Sequence, residues 1–246
     1  MNNRALEGKT AFVSGSGQNI GRATAVQLAR MGCNVVVNGS SNFAAVEETV
    51  AAVEAEGVAS LIAMGDMGEE DAIRTIADAA LSRFGRVDIV VNNAARRPHK
   101  PFLEMTEDDW HGVMDVALTA VFRTSQAFLP GMVEAGWGRI INFAGMKAIK
   151  GYNEGAPISA AKHGVWGLTK ALSTEFASKG ITINTLSPGQ IRKDNKTEED
   201  PACAARIPAG VMGQSQDIAS MVGYLASHEA HFVTGQMIAV NGGETT

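Results

Sequence analysis

Tyrosine is scarce in this chain of 246 residues: only Tyr152 and Tyr224 occur, and aromatic residues make up 6% of the total. A phenol needed for chemistry must therefore come from one of two places. Cysteine is equally scarce, and Cys33 and Cys203 stand far apart with no ligand-like spacing. That excludes a disulfide scaffold and a thiolate metal site, and it leaves two packing thiols. Positive charge is neither abundant nor concentrated. The net charge is −5 with a pI of about 5.6, and without a basic stripe no nucleic-acid face is expected. No apolar run reaches the ~18 residues of a membrane span, and Met1–Lys9 holds no apolar signal core. A soluble, cytoplasmic protein that engages neither membrane nor nucleic acid is the expectation.

What is present is an alternation of short apolar runs with helix-period segments. Thr10–Ser14, Asn34–Asn38, Ser60–Met64, Val87–Asn92, Arg139–Phe143, Thr182–Leu186 and Met237–Val240 read as strands. Several are continuous in Val and Ile, as strands covered on both faces require. Phe43, Val46, Val50 and Val53 form one helical stripe ending at Gly57, and Ile73, Ile76, Ala77, Ala80 and Phe84 form another ending at Gly85. Thr106 with Asp109 resembles a cap opening the next helix. Tyr224 falls in an apolar helical segment and is expected to pack there. Composition changes nowhere along the chain, so one α/β domain over residues 1–246 is predicted, a doubly wound parallel sheet of about seven strands with helices on both faces. The one long irregular stretch, Gln190–Gly210, reads as a lid over a substrate.

The first strand runs into Ser14-Gly15-Ser16-Gly17-Gln18-Asn19-Ile20-Gly21 and then a helix. Glycines there permit a tight turn and bring backbone amides against a pyrophosphate at a positive helix N-terminus. With that loop on the page, the chain resembles the short-chain dehydrogenase/reductase family over essentially its whole length. The family's Thr-Gly-x-x-x-Gly-x-Gly pattern falls on Ser14, Gly15, Asn19 and Gly21. Asn19 replaces a glycine, a mild change because Asn tolerates left-handed backbone. Asn92-Asn93-Ala94-Ala95, Trp137-Gly138-Arg139-Ile140-Ile141-Asn142, Ser187-Pro188-Gly189, and Thr234-Gly235-Gln236 with Asn241-Gly242-Gly243 extend the likeness. The resemblance implies a Rossmann-type fold and a nicotinamide cofactor held by Ser14, Gly15, Gly17, Asn19, Ile20, Gly21, Ser40, Ser41, Asp66, Met67, Asn93, Ala94, Lys162, Pro188, Gly189 and Ile191. After the second strand Gly39, Ser40 and Ser41 stand where an acid would favour NAD. NADP is therefore slightly preferred over NAD, although no Arg or Lys is there to pair with its 2′-phosphate.

The family's chemistry uses a tyrosine acid and a lysine on one helix, a carbonyl-orienting serine and a supporting asparagine. Only Lys162 survives here: the tyrosine position is Ile158, the serine position Gly145 and the asparagine position Ala117. A positioned general acid is worth roughly 10²–10⁴ in rate, and isoleucine, glycine and alanine donate no proton. Tyr152 is the available phenol, in the segment leading to the Lys162 helix. His99 is a second candidate, since histidine exchanges protons near neutral pH. Lys147, Lys150, Glu154, Arg96, Arg97 and Lys100 lie in the same loops, and a basic rim of this kind suits an anionic small-molecule substrate.

Three readings remain open. The first is an atypical NAD(P)-dependent oxidoreductase acting on a small carbonyl or alcohol with Lys162, Tyr152 and His99 at its site. The second is a catalytically silent nucleotide-binding homologue, and the third is a non-redox lyase or isomerase. The family's habit of pairing its long helices, here about Glu107–Phe128 and Ile158–Ser178, implies a homodimer or homotetramer.

Overall fold

Continuous runs of Val and Ile need apolar cover above and below, and they receive it. A computed structural model of the protein describes residues 4–145, 150–194 and 200–245. Its strands are β1 (Thr10–Val13), β2 (Asn34–Gly39), β3 (Ser60–Met64), β4 (Ile89–Asn92), β5 (Gly138–Phe143), β6 (Ile181–Pro188) and β7 (Met237–Val240). They form one sheet in the order β3-β2-β1-β4-β5-β6-β7, and every neighbouring pair is parallel. The helices are α1 (Asn19–Arg30), α2 (Phe43–Glu54), α3 (Glu70–Phe84), α4 (Glu107–Met114), α5 (Ala120–Glu134), α6 (Ala156–Phe176), α7 (Pro201–Ala204) and α8 (Ser215–Ala226).

Strand alternation divides the core. Val13, Val37 and Ile141 face α1, α2 and α8, meeting Leu28, Val46, Ile218 and Val222. Their neighbours Phe12, Val36 and Ile140 face the opposite way, meeting Ile73 and Ile76 of α3 and Phe128 and Met132 of α5. Truncating a large side chain in such a core costs ~2–5 kcal/mol. The doubly wound α/β sheet expected from the sequence is therefore what forms. Because the chain winds outward in both directions from β1 and β4, a crevice opens beyond their C-terminal ends.

Some elements differ from expectation in instructive ways. Helix α2 ends at Glu54, and Gly57 takes up its positive φ of 78° three residues later, whereas α3 stops at Gly85 as read. The capping box at α4 forms, with Thr106 Oγ1 accepting from Asp109 N and Asp109 Oδ2 accepting from Thr106 N at 2.9 Å. A π turn over Asp115–Thr119 joins α4 to α5, placing Ala117 at an irregularity of a kind often found at functional sites. Of the 190–210 segment expected as a lid, residues 195–199 lie outside the described residues, and the rest is not featureless. Ile191 bridges to Gly213, and Asp200 caps α7 by accepting from Ala202 N at 3.0 Å. Asp-Pro at 200–201 was the missed signal, an N-cap followed by a proline at the first helical position. Tyr224 does not pack inward: it is 44% exposed on the outer face of α8. Cys33 and Cys203 are free and buried, and burial pushes the Cys33 thiol far up, leaving it inert. No helix among the described residues is long and apolar enough to cross a membrane.

Candidate active site

The glycine loop is shaped by contacts that only small residues permit. A Cβ on Gly21 would lie 2.2 Å from the Gly15 carbonyl oxygen, so no larger residue fits there. Gly15 itself has a φ of 61° and backs onto Ala94. Asn19 has a φ of 49°, the left-handed geometry that asparagine tolerates. Its side chain also acts, accepting a hydrogen bond from Asp194 N at 3.0 Å and tying the 190s segment to the loop.

Two asparagines hold this loop to the strand ends. Asn93 Nδ2 donates to the carbonyls of Ser14 and Gly15 at 3.0 Å, and the amides of Asn93 and Ala94 both donate to Ser14 Oγ. Asn38 Oδ1 accepts from Gly15 N at 3.0 Å, while its Nδ2 donates to the carbonyls of Ala63 and Gly65. Asn38 escaped the reading of the sequence, although a polar residue ending a buried valine run was the visible signal.

A cleft of about 430 Å³ lies over these groups, lined among others by Gly15, Asn19, Gly21, Asn38, Ser40, Asp66 and Met67. Ile20, Asn93, Ala94, Arg96 and Arg97 line it too. Ser14 is buried, Gly17 half-buried and Ser41 exposed, and none of the three lines this cleft. Asp66 accepts from Gly68 N at 2.9 Å and pairs with Arg96, so Arg96 belongs to this cleft as well as to the basic rim. Glycines without room for a Cβ, amides at the start of α1 and an elongated polar cleft fit a dinucleotide's pyrophosphate and adenosine.

A second cleft, of about 370 Å³, continues from the first and shares Asn19, Ile20, Asn93 and Arg97 with it. Lys162, Tyr152, Ile158, Gly145, Pro188, Gly189 and Ile191 line it, together with Arg192 and Lys193. Ile158 is buried in an apolar cluster with Val113, Ala117 and Ala161, with Tyr152 packed at its edge. The residues at the tyrosine and asparagine positions thus touch one apolar plug. Gly145 has a φ of 132°, a backbone that a serine could hold only under strain.

Lys162 is 5% exposed, and its Nζ donates to the Phe143 carbonyl at 2.6 Å. Burial, with a smaller contribution from the Arg97 charge, pushes its ammonium down from 10.5 to about 7. Helix α6 is fixed beneath it by a buried chain of polar groups. Thr124 donates to Asn92, Asn92 to Asn142, Asn142 to Thr169, and Thr169 meets Thr185, all at 2.8–2.9 Å.

Tyr152 and His99 come together although 53 positions separate them. The phenol oxygen lies 3.0 Å from His99 Nε2, and the ring centroids are 4.9 Å apart. The approach has a backbone cause. Glu154, at a φ of 57°, presents its carbonyl to Lys100 N at 2.9 Å, joining the loops after β4 and β5. Gly155 lets the phenol ring lie on the start of α6, where a Cβ would be 2.3 Å from Tyr152 Cδ1. A third cavity is lined by both members of this pair together with Lys150, Gln190 and Glu244. Lys147 lies outside the described residues, and Glu154 and Lys100 serve the loop junction. Among the described residues no group of three or more His, Cys, Asp or Glu could hold a metal.

Comparison with known proteins agrees with this geometry. The family model described as enoyl-(acyl carrier protein) reductase matches residues 15–245. The chain belongs to the short-chain dehydrogenase/reductase family. It is 37% identical over 243 residues to the 3-oxoacyl-[acyl-carrier-protein] reductase FabG of Vibrio cholerae, covering 97% of this chain and 98% of that protein. The protein of the same name from Pseudomonas aeruginosa is 35% identical over 243 residues, with the same shares covered. That from Staphylococcus aureus is 37% identical over 239 residues, 96% of this chain and 97% of the relative. This is a family of oxidoreductases, and the curated relatives are reductases by name.

Proposed function

We propose that the protein is an NAD(P)-dependent oxidoreductase, with NADP slightly preferred over NAD, that interconverts a small anionic carbonyl compound and its alcohol. In this reading Tyr152 replaces the missing phenol at position 158. One observation carries the proposal: Tyr152, whose hydroxyl is paired with His99, is among the residues lining the cleft of Lys162. A nicotinamide bound there supplies or takes up hydride. The residues of the chain do the rest. Amides and glycines of the loop receive the pyrophosphate, Ser40 stands near the ribose position with no carboxylate to repel a 2′-phosphate, and Asp66 lies toward the adenine. Lys162 offers its ammonium to the nicotinamide ribose. Tyr152 gives a proton to the developing alkoxide and regains one through His99, which is exposed to solvent. Arg97, Arg192 and Lys193 attract an anionic substrate to the cleft.

Tyr152→Phe is expected to lower kcat by about 10²–10⁴ while leaving cofactor affinity unchanged, as read by NADPH absorbance and calorimetry. Full turnover by the variant would refute the role of Tyr152. The apolar plug of Ile158, Val113 and Ala117 favours a second reading, a cofactor-binding protein without redox activity. Tight NADP binding with no turnover across a panel of carbonyls and alcohols would establish that reading instead.

We further take residues 1–246 as one cytoplasmic domain in which the 190–210 segment covers the substrate, assembled as a homodimer or homotetramer. The exposed Phe122 of α5, Tyr224 of α8 and Phe232 support the assembly. A monomer in sedimentation velocity at micromolar concentration would contradict it.

A further inference from the structure

Lys162 is a primary amine set in an unusual place. Its side chain is almost wholly out of water, and its Nζ hydrogen-bonds the Phe143 carbonyl. Ile158, one turn earlier on the same helix, offers it no acceptor. Among the described residues none of the ion pairs includes it, and the charged groups sharing its cleft, Arg97, Arg192 and Lys193, are all cations. Phe143, Ile20, Ile158 and Ile191 supply apolar walls, and Tyr152 is the only acidic hydroxyl on the lining. An amine enclosed by apolar surface beside a second cation is in the setting that activates lysine as a nucleophile toward carbonyls.

We propose that Lys162 condenses with the carbonyl of a small carboxylate-bearing aldehyde or ketone admitted to this cleft, forming an imine. The Nζ lone pair attacks the carbonyl carbon, a C–N bond forms, and the carbonyl π pair moves to oxygen, which takes a proton. Loss of that hydroxyl as water, with the nitrogen's remaining proton given up or retained, leaves the imine or iminium. The Tyr152 hydroxyl, in contact with His99, supplies the proton for the departing oxygen. Arg97, Arg192 and Lys193 hold the carboxylate. No oxidant or reductant is consumed, so this activity goes beyond the hydride-transfer reading and does not depend on it. Both would use the same cleft, and cofactor and imine therefore exclude one another.

The test uses the full-length protein without cofactor, treated with glyoxylate and sodium cyanoborohydride and mapped by peptide mass spectrometry. The reduced adduct should appear on Lys162. The neutral fraction of an amine displaced to about 7 exceeds that of an ordinary lysine, so labelling at pH 7 should outpace that of exposed Lys179 by at least about tenfold. Propionaldehyde, lacking the carboxylate, should label Lys162 more slowly than glyoxylate does, and saturating NADP⁺ should protect it. Lys162→Arg, checked for folding by circular dichroism, should lose the adduct on that peptide alone. Labelling confined to exposed lysines, or equal at Lys162 and Lys179, overturns the proposal. That outcome leaves NADPH turnover untouched, and absence of turnover leaves imine trapping untouched, so the two failures are separable.

Discussion

Burying an ammonium group without a carboxylate partner is unfavourable, and Lys162 shows what the fold tolerates at this site. A tenfold change in a protonation equilibrium is worth about 1.4 kcal/mol, so displacement from 10.5 to about 7 sets a ceiling of roughly 5 kcal/mol on the penalty. The sign follows from proton counting. Between pH 7 and 10.5 the unfolded chain holds a proton on this lysine that the folded chain has released, so stability rises with pH across that window. Below pH 7 both states are protonated and the penalty is complete. Lys162→Met keeps the volume of the side chain and removes the charge, at a cost of roughly 1 kcal/mol for the Phe143 carbonyl that loses its donor. The variant should therefore be more stable than the parent by ~1–4 kcal/mol at pH 6. That margin should shrink as the pH approaches 10. Urea denaturation at a series of pH values measures it, and a variant less stable than the parent at pH 6 would show that the ammonium is well solvated in the cleft. A residue whose removal stabilises the fold is retained for something other than stability.

At the scale of elements, α6 carries the site and a buried polar chain fixes its position. Thr169 lies two turns after Lys162, and Asn142 ties it to β5 while Asn92 continues the link to β4 and α5. Replacing Asn142 by alanine leaves an Asn92 donor without its partner in a buried layer and the Thr169 hydroxyl with Thr185 alone. One buried group left unpaired at ~1–3 kcal/mol, with about 1 kcal/mol for the hydrogen bond that Thr169 loses, predicts a loss of roughly 2–4 kcal/mol in chemical denaturation. Cofactor affinity should fall as well, because the helix under Lys162 is no longer held in register. A loss below ~0.5 kcal/mol would mean that water substitutes for the amide. The strands were legible because Val35–Val37 and Ile140–Ile141 can be satisfied only by burial on both faces. The glycine loop was legible because Gly15 and Gly21 are steric necessities. The bridging roles of Asn38 and Asn142 were not, since a buried asparagine's task is identified only by partners that the sheet brings from distant positions. The meeting of His99 with Tyr152 was hidden for the same reason. It depends on the Lys100–Glu154 backbone bond and on the bare backbone of Gly155, and neither has a sequence period. Tyr224 misled because apolar neighbours on a helix do not say which face a single residue occupies.

At the scale of the whole molecule, the two clefts lie where the two halves of the sheet diverge, so a ligand spanning them bridges both. It would touch the ends of β1, β2 and β4 through Gly15, Asn38 and Asn93, and the β5 and β6 side through Gly145, Lys162 and Gly189. A ligand that contacts both halves binds the folded chain and not the unfolded one, so by mass action it raises stability by about 2.7 kcal/mol at a hundredfold excess over Kd. For a chain of this length each kcal/mol is worth roughly 2–4 °C in Tm. NADP⁺ at saturation is therefore expected to raise the melting temperature by about 5–10 °C in differential scanning fluorimetry. NAD⁺ at the same concentration should give a smaller shift. The residues at the end of β2 decide the order: Gly39 and Ser40 place no carboxylate against a 2′-phosphate, and Asn38 is fully engaged with Gly15, Ala63 and Gly65. Gly21→Ala should abolish both shifts, since its Cβ collides with the Gly15 carbonyl and opens the loop. A larger shift with NAD⁺ would reverse the assigned preference, and no shift with either would remove the coenzyme from the account of this cleft.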